Sequence, residues 1–434
     1  MTIGFGLFVA AFAFRYLRLI VGIIANLTYK AYPIADRPCH AVSDVSVIIP
    51  TTFKHSTELA CCLKSISICR PAQIFVVTAD SSIKDVESLC IALSLTTVRI
   101  LGVEHLNKRR QLLRALELVD TKITVFADDN VIWPDGYLDH LLAIFEDPRI
   151  GAGGSRQRVR RMHKPDVWNF LAISYLERRV FNNISTQAID GSISTLSGRT
   201  AAYRTEILRN DRFYHYFLND SWRGRKLNTD DDKCLTRFVY SRGWKIALQT
   251  SVVIETTMES GWNYIEQCKR WARAHWRGNL VVMAKEQYWY SPRYLWGFYA
   301  IYLAQFQTPA LLVDGALYFL LRSCVANRED SKTILSAFVF WIISTKLTKL
   351  TGHFIAHPQD TAFIPVSILF SYLHGIINIH ALLTLHITAW GSQQLDILER
   401  PKEERRQAVP SFTDTLDTAR DSVTDGEEAR VHLE

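Results

Sequence analysis

Two clusters of carboxylates stand where the chain changes from one predicted element to the next. The first, Asp128-Asp129-Asn130, directly follows the β-branched run Ile123–Ala127 and precedes Trp133-Pro134. Carboxylates at the carboxyl end of a parallel strand point into the ligand crevice, and a hard divalent ion that bridges two phosphates needs such oxygens. An Asp-rich turn closed by the proline explains the same residues without a ligand, so both interpretations stay open.

The second cluster, Asn228-Thr-Asp230-Asp231-Asp232, opens the helical pattern Lys233–Ser241. Asp and Thr favour helix starts, so capping accounts for one of these acids but not for three. A carboxylate at a helix start that faces a substrate hydroxyl can act as the general base that makes this hydroxyl nucleophilic. The cluster is therefore a candidate catalytic site.

A third chemical element is Gln267-Cys-Lys-Arg270-Trp271, in an aromatic and basic stretch. Gln267, Arg270 and Trp271 are spaced i, i+3, i+4 and fall on one side of a helix. A Trp face can stack on a ring, and an Arg binds diphosphate oxygens with its planar fork. The composition suits a helix at a membrane surface equally well, and the two interpretations are compatible.

Composition limits the class of protein. The chain has 434 residues, 50 Lys+Arg against 43 Asp+Glu, and 48% hydrophobic positions, which excludes disorder throughout. Residues 399–434 carry ten acids and six bases, so the net charge of +7 becomes +11 without them. This surplus suits anionic lipid or a phosphorylated substrate better than nucleic acid. The eight cysteines form no CxxC pair, which predicts a reducing compartment and neither a zinc site nor a disulfide framework.

Short β-branched runs alternate with polar helices between Val45 and Ile254. Four of these runs are Val45–Ile49, Gln73–Val77, Val98–Leu101 and Lys122–Phe126. The alternation predicts an α/β fold with a mostly parallel sheet covered on both faces. One of the helices begins with Lys108-Arg109-Arg110, where an anion could sit on the amino terminus. Solvent exposure is the favoured interpretation for most of the arginines in the basic patches.

Apolar blocks flank this region and predict membrane helices. Ile3–Leu27 is long enough to cross about 30 Å of hydrocarbon, with an interfacial amphipathic helix as the alternative. Three more blocks lie at about 295–321, 334–350 and 362–390, and Asp314 in the first should face protein or water. We predict an N-terminal anchor at 1–30, a catalytic domain at 43–260, interfacial helices at 261–292, a transmembrane region at 295–390 and a disordered acidic tail at 399–434.

A series of motifs in fixed order carries a resemblance to a known family. They are Val47-Ile-Ile-Pro50-Thr51, Asp80 after Val76-Val77, Asn107-Lys-Arg-Arg-Gln111, Asp128-Asp-Asn130 with Trp133-Pro134, Phe145-Glu-Asp-Pro148, Ser197-Gly-Arg-Thr200, Thr229-Asp-Asp-Asp232 and Gln267-Cys-Lys-Arg-Trp271. In this order, over roughly residues 43–280, they resemble the processive, membrane-embedded inverting glycosyltransferases of family 2, which include hyaluronan, chitin and cellulose synthases. More closely, the chain looks like the fungal type 2 glycosyltransferase or capsular polysaccharide synthase group.

The resemblance implies a GT-A fold with N- and C-terminal transmembrane helices, a UDP-sugar donor and Mg²⁺ or Mn²⁺. By position, it implies Asp232 as the catalytic base. The implied nucleotide-sugar-binding residues are Thr51, Asp80, Lys108, Asp128, Asp129 and Arg270. The implied acceptor-binding residues are Ser197, Gly198, Arg199, Gln267 and Trp271, and the implied metal ligands are Asp128, Asp129 and Asn130. Asn130 stands where a DxD pattern places its second acid.

The expected function is hexose transfer to a growing polysaccharide on the cytosolic face, coupled to export for a cell wall or capsule. One alternative is a non-processive transferase that adds one sugar to a lipid or protein; another is an inactive membrane scaffold for a synthase partner. The expected partners are the donor, a glycan acceptor and a lipid bilayer, without nucleic acid, and an oligomer is left open. The expected location is the plasma membrane or the Golgi, as a multi-pass protein with a cytosolic catalytic domain.

Overall fold

The computed structural model describes residues 3–161, 166–286 and 291–388, so the predicted tail at 399–434 lies outside the described residues. The strands are β1 (Val45–Pro50), β2 (Gln73–Ala79), β3 (Val98–Val103), β4 (Ile123–Ala127), β5 (Val131–Ile132), β6 (Ile150–Val159), β7 (Thr200–Arg204), β8 (Ser221–Trp222), β9 (Arg225–Lys226) and β10 (Lys245–Thr256). The helices are α1 (Ile3–Thr28), α2 (Ser56–Ile68), α3 (Ile83–Ala92), α4 (Lys108–Leu116), α5 (Tyr137–Leu142), α6 (Val167–Asp190), α7 (Thr205–Leu208), α8 (Asp211–Leu218), α9 (Asp231–Ser241), α10 (Gly261–Val281), α11 (Leu295–Gly297), α12 (Ala310–Val325), α13 (Ser331–Leu347), α14 (Thr351–Ala356) and α15 (Ile364–Leu383).

Eight strands form one mixed sheet in the order β3-β2-β1-β4-β7-β6-β10-β5, and β8 and β9 form a separate hairpin. The first four strands run parallel, as do β6 and β10, whereas β7 and β5 run antiparallel to their neighbours. The four runs read from the sequence are β1 to β4, so this prediction is confirmed.

Helices cover both faces of the sheet. Side chains alternate along β1, so that Val47 and Ile49 pack toward α2 and α5 while Ile48 packs toward α4 and α9. All six residues of β1 are buried as a result, which is why a continuous apolar run rather than an alternating one marks this strand. Because β1, β2 and β4 are parallel, their carboxyl ends meet at one edge of the sheet. Thr51, Asp80 and Asp128 follow these three strands at that edge.

Among the described residues, three helical stretches are long and apolar enough to cross a membrane: Ile3–Thr28, Ser331–Ala356 and Pro358–Leu383. Their apolar side chains point outward, with Phe340 and Leu369 72% and 70% exposed, as lipid contact requires. The block predicted at 295–321 differs from a straight span, because Pro292–Gln307 and Ala310–Val325 meet at 88°. Pro309 lies at the bend, and its lack of an N–H group breaks the helical hydrogen-bond pattern.

Asp314, the acid inside this block, faces protein, as expected from the cost of an unpaired charge in lipid. It is 5% exposed, accepts a hydrogen bond of 2.7 Å from Lys346 of α13 and lies 3.2 Å from Arg15 of α1. One carboxylate therefore joins three membrane helices.

Replacing this carboxylate leaves two cations without their partner in a buried place. We expect Asp314→Ala to lower the free energy of unfolding by about 3–5 kcal/mol, which thermal denaturation in detergent measures as a fall in Tm. The matched control is Asp330→Ala, which removes an acid from an exposed pair with Arg328 and should leave Tm close to wild type. Equal melting of both variants would contradict a joining role for Asp314.

Candidate active site

The acidic segment Thr229–Asp232 leads into α9 with an uncommon backbone conformation. Asp230 has a φ of +64°, in the left-handed region that non-glycine residues adopt at a cost. Arg277 of α10 donates two hydrogen bonds, of 2.8 and 3.0 Å, to the Asp230 carboxylate, and both side chains are buried. This two-point ion pair holds the strained segment against α10.

Arg109 holds the same segment from the opposite side. It is 2% exposed and donates hydrogen bonds to the carbonyl oxygens of Thr229, at 2.7 Å, and Phe217, at 2.6 Å. It also pairs with Asp220, which compensates its buried charge. The expected solvent exposure is therefore wrong for this arginine, because the guanidinium joins α4 to the segments on both sides of the β8–β9 hairpin.

Lys108 connects the two acidic clusters. Its Nζ donates a hydrogen bond of 2.8 Å to Asp128 and lies 3.1 Å from Asp231 Oδ2. Burial opposes the charge of the ammonium, but the two carboxylates outweigh burial and hold the pKa of Lys108 above its usual value. Gly198 packs alongside, where a Cβ would lie 3.3 Å from Lys108 Nζ and from Asp232 Cβ. Glycine therefore lets its loop approach the ion pairs closely.

Asp232 faces a cavity, and its carboxylate lies 3.7 Å from Arg179 Nη2. Burial and the charge of the adjacent Asp231 raise the pKa of Asp232. Burial also acts on Asp231, but Lys108 and Arg109 outweigh it and hold the pKa of that acid below its usual value. Of two neighbouring acids, Asp232 is thus the one suited to accept a proton.

The side chains of the first acidic cluster, Asp128-Asp129-Asn130, point in two directions. Asp128 turns to Lys108, and Asp129 accepts a hydrogen bond of 2.6 Å from the Thr51 hydroxyl. The amide nitrogen of Asn130 instead donates to Thr257 just beyond β10, at 3.0 Å to its hydroxyl and 3.3 Å to its carbonyl oxygen. Asn130 thus ties the turn to β10.

The residues present fit a divalent cation of the kind that completes its coordination with substrate oxygens. No group of three His, Cys, Asp or Glu residues in the described part of the chain could hold a metal by itself. Mg²⁺ commonly uses one or two carboxylates together with water and substrate phosphates. Asp128 and Asp129 offer this set, and burial, aided by the charge of Asp128, raises the pKa of Asp129. A bound cation would relieve this excess of negative charge.

Asp80 lies at the same edge of the sheet as the other predicted donor residues, two strands away from Asp128. The Asp80 carboxylate lies over Gly102 at the end of β3. A Cβ added at position 102 would come within 1.9 Å of Asp80 Oδ1. Glycine at position 102 therefore permits this placement. The exposed Asp80 carboxylate is available to a ligand that reaches across β2 and β1.

Helix α10 brings Gln267, Arg270 and Trp271 to the site. The Trp271 ring stacks on Tyr175 with centroids 4.9 Å apart, and Arg199 lies over the same ring at 5.2 Å. The Oε1 atom of Gln267 is buried and has no hydrogen-bond partner among the described residues, as expected of an atom that awaits a ligand. Burial lowers the pKa of Arg270, while the nearby carboxylates of Asp231 and Asp128 act in the opposite direction.

The loop Ser197-Gly198-Arg199 runs beside these groups. The carbonyl oxygen of Arg199 accepts a 3.0 Å hydrogen bond from the Asp128 N–H, so the loop is fixed to the first acidic cluster. The Ser197 hydroxyl lies 3.3 Å from Nη1 of Arg199. Burial and the neighbouring Arg179 lower the pKa of Arg199 to about 10.

A cavity of about 400 Å³ opens beside Asp232 and Trp271 and continues between the membrane helices. Arg18 of α1, Arg178 of α6 and Phe370 of α15 are among its lining residues. The stacked Trp271 and Tyr175 rings stand in its wall, next to the carboxylate of Asp232. The arrangement provides an aromatic surface and a base at the point where the cavity meets the acidic segment.

The structure brings together most of the residues predicted from the sequence. A connected set of contacts joins Lys108, Asp128, Gly198, Arg199, Asp232, Arg270 and Trp271, with Thr51, Asp129 and Ser197 next to them and Gln267 on the same helix as Arg270. Asp80 lies farther along the sheet edge, and Asn130 is directed toward β10. Sequence reasoning missed Arg179 and Arg277 as parts of the site and favoured solvent exposure for Arg109. Arg109 carried a signal in the Asn107–Gln111 motif, and Arg277 carried one because it follows Arg270 by two helical turns on the same face.

Comparison with known proteins identifies the family. The model of the glycosyltransferase like family 2 matches residues 43–274. A type 2 glycosyltransferase of Zymoseptoria tritici is 40% identical over 426 residues, 97% of this chain and 90% of that protein. The hyaluronan synthase of Streptococcus pyogenes is 22% identical over 292 residues, 66% of each chain. The solved mannosyltransferase PcManGT from Pyrobaculum calidifontis, in complex with GDP-Man and Mn²⁺, is 17% identical and covers 80% of this chain and 99% of its own, with a TM-score of 0.46.

The match to the family model covers the mixed sheet and continues into α10. It confirms the GT-A fold and the resemblance read from the motifs, and it makes the protein a sugar-transferring enzyme. The chain belongs to glycosyltransferase family 2.

Proposed function

We propose that the protein is a membrane-bound inverting hexosyltransferase that moves a sugar from a UDP-sugar to a growing polysaccharide on the cytosolic face. The observation that carries the proposal is the position of Asp232 between a polar donor side and a cavity among the membrane helices. Asp128 and Arg270 lie on the donor side, where a nucleotide diphosphate needs cations and polar groups. Trp271 and Asp232 border the cavity, which can receive the acceptor glycan.

The proposed reaction is a single displacement at the anomeric carbon. Asp232 removes the proton of the acceptor hydroxyl, the hydroxyl oxygen attacks the anomeric carbon, and the bond to the UDP oxygen breaks. Arg270 stabilises the negative charge that develops on the departing diphosphate. Trp271 contacts the acceptor sugar from the cavity wall, where Tyr175 and Arg199 hold its ring in place. Attack opposite the leaving group inverts the anomeric configuration.

Asp128 and Asp129 are the proposed ligands of Mg²⁺ or Mn²⁺, which would neutralise charge on the diphosphate. Lys108 contributes a positive charge beside Asp128 whether or not the cation is bound. Thr51 fixes the orientation of Asp129, and we assign contact with the uridine to Asp80, which lies farther along the sheet edge. The roles of Asn130 and of the Ser197–Arg199 loop remain predictions.

The proposed location is a membrane, with several spans and the catalytic domain in the cytosol. All eight cysteines are free, which suits a reducing compartment. The plasma membrane and the Golgi are the proposed sites. Similarity to hyaluronan synthase supports a polymer as product.

A non-processive transferase is the second candidate. The 88° bend between Pro292–Gln307 and Ala310–Val325 favours it, because it leaves three straight spans among the described residues, of which Ile3–Thr28 and Pro358–Leu383 line the cavity. The inactive scaffold is disfavoured by the intact contacts around Asp232 and Lys108. Export of a polymer by a single copy of the chain is not part of the proposal.

The size of the product tests the proposed function. Purified protein with labelled UDP-GlcNAc, UDP-Glc, UDP-GlcA or UDP-Gal should form a ladder of products with at least one donor. We expect Asp232→Asn to abolish transfer, because its amide cannot accept the proton, while UDP binding measured by calorimetry stays close to wild type. Single-sugar products would favour the second candidate, and full turnover in Asp232→Asn would remove this residue from the mechanism.

The pH dependence of transfer follows from the raised pKa of Asp232. The base must be ionised, so the rate falls on the acidic side at a higher pH than an unperturbed aspartate would give. Arg179 favours the ionised carboxylate, and we expect Arg179→Gln to raise this pKa further and move the acid limb of kcat/KM to higher pH.

The matched control for this shift is Arg149→Gln, which alters an exposed arginine paired with Asp147. Its acid limb should coincide with that of the wild-type protein. An acid limb that stays in place, or moves to lower pH, in Arg179→Gln would contradict the role of Asp232 as the titrating base.

A further inference from the structure

The cavity beside Asp232 has a strong excess of basic side chains. Among the described residues that line it, Arg18, Arg178, Arg179 and Lys233 are cationic types and Asp232 is the one acid. The carboxylate of Asp232 already forms an ion pair with Arg179. The cavity therefore offers positive charge well beyond what its own carboxylate compensates.

Arg18 and Arg178 bring their guanidinium groups into this space without a carboxylate partner in the described part of the chain. Arg178 donates hydrogen bonds to the Ser367 hydroxyl at 2.9 Å and to the Lys346 carbonyl oxygen at 3.4 Å. Arg18 has a long contact of 3.5 Å with the carbonyl oxygen of Ala300. Both side chains are half-buried, and neutral acceptors compensate a guanidinium only weakly.

Titratable groups at the cavity respond to burial and to the cations around them. Burial and the charge of Arg237 lower the pKa of Lys233 to about 7. Burial, followed by the charges of Lys233 and Arg179, lowers the pKa of His275 to about 3, so this imidazole stays neutral. An anion in the cavity would stabilise the cations that line it.

The remaining lining mixes polar and apolar side chains. Asn182, Asn183, Thr195, Gln305 and Asn378 border the cavity beside apolar residues that include Leu171, Ile301 and Phe370. The amides and hydroxyls suit the hydroxyls of a sugar chain, and the apolar groups suit the apolar faces of its rings. This mixed lining, which opens beside Asp232, supports a glycan as the occupant.

We propose that the acceptor held in this cavity is an acidic glycan, whose carboxylate or other anionic groups are bound by Arg18 and Arg178. This inference rests on the proposed function, since it specifies the acceptor class of the same site. The neutral hydroxyls of the glycan contact the amides of the wall, and its terminal sugar lies against Trp271 next to Asp232. A guanidinium pairs with a carboxylate through two parallel hydrogen bonds, which gives selectivity over a neutral sugar of the same shape.

The test compares the binding of oligogalacturonides with that of neutral cello-oligosaccharides of equal length to the full chain in neutral nanodiscs. We expect the acidic probe to bind at least about tenfold more tightly, and Arg178→Gln to remove about tenfold of its affinity. Arg178→Lys should recover part of this loss. UDP binding and Tm report whether each variant is folded and retains its donor site.

Arg204→Gln is the matched control, because Arg204 also caps carbonyl oxygens, those of Ile150 and Phe145, at a distance from the cavity lining. It should leave the preference for the acidic probe unchanged. A second arm adds phosphatidic acid to the nanodisc while the acidic glycan is bound and measures whether the glycan is displaced.

Equal affinity for acidic and neutral glycans would overturn the inference, as would displacement of the acidic glycan by phosphatidic acid alone. Either result leaves the proposed function standing if UDP still binds and sugar is still transferred. Conversely, failure of transfer with every donor, alongside selective binding of the acidic glycan, would overturn the proposed function and retain the acidic-glycan site.

Discussion

Ionic contacts around the segment Thr229–Asp232 hold the catalytic half of the molecule together. Lys108 and Arg109 reach it from α4, Arg179 from α6 and Arg277 from α10. Since a buried charge without its partner destabilises a protein by several kcal/mol, these contacts constrain the three helices relative to one another. The same contacts separate the pKa values of two adjacent acids, which leaves Asp232 suited to accept a proton.

Charge is distributed in opposite senses on the two sides of Asp232. The donor side is rich in carboxylates, those of Asp128, Asp129 and Asp231. They suit the binding of a metal cation and of the Lys108 side chain. On the cavity side, basic residues predominate and carboxylates are scarce among the described residues. In the membrane region, Asp314 pairs with both Arg15 and Lys346, so its cluster serves the packing of helices.

The sequence predicts the elements that depend on local pattern and misses those that depend on contacts between distant residues. Continuous β-branched runs identified β1, β2 and β4, because strands buried on both faces need them, and a similar run identified the partly buried edge strand β3. The acids at the strand ends followed from the same pattern. The burial of Arg109 could not be predicted from the sequence, because its partners Asp220 and Thr229 lie more than a hundred residues away along the chain. The bend at Pro309 interrupts a block that hydropathy alone presents as one span.

A structure with UDP bound tests most directly whether these groups form one donor site. We expect the diphosphate to lie between the carboxyl end of β4 and Arg270, with the uracil toward Asp80 and the Asp232 carboxylate still facing the cavity. Cryo-electron microscopy of the protein in nanodiscs with UDP and Mn²⁺ would measure this. UDP density away from Asp128 and Arg270, with this hollow left vacant, would contradict the account.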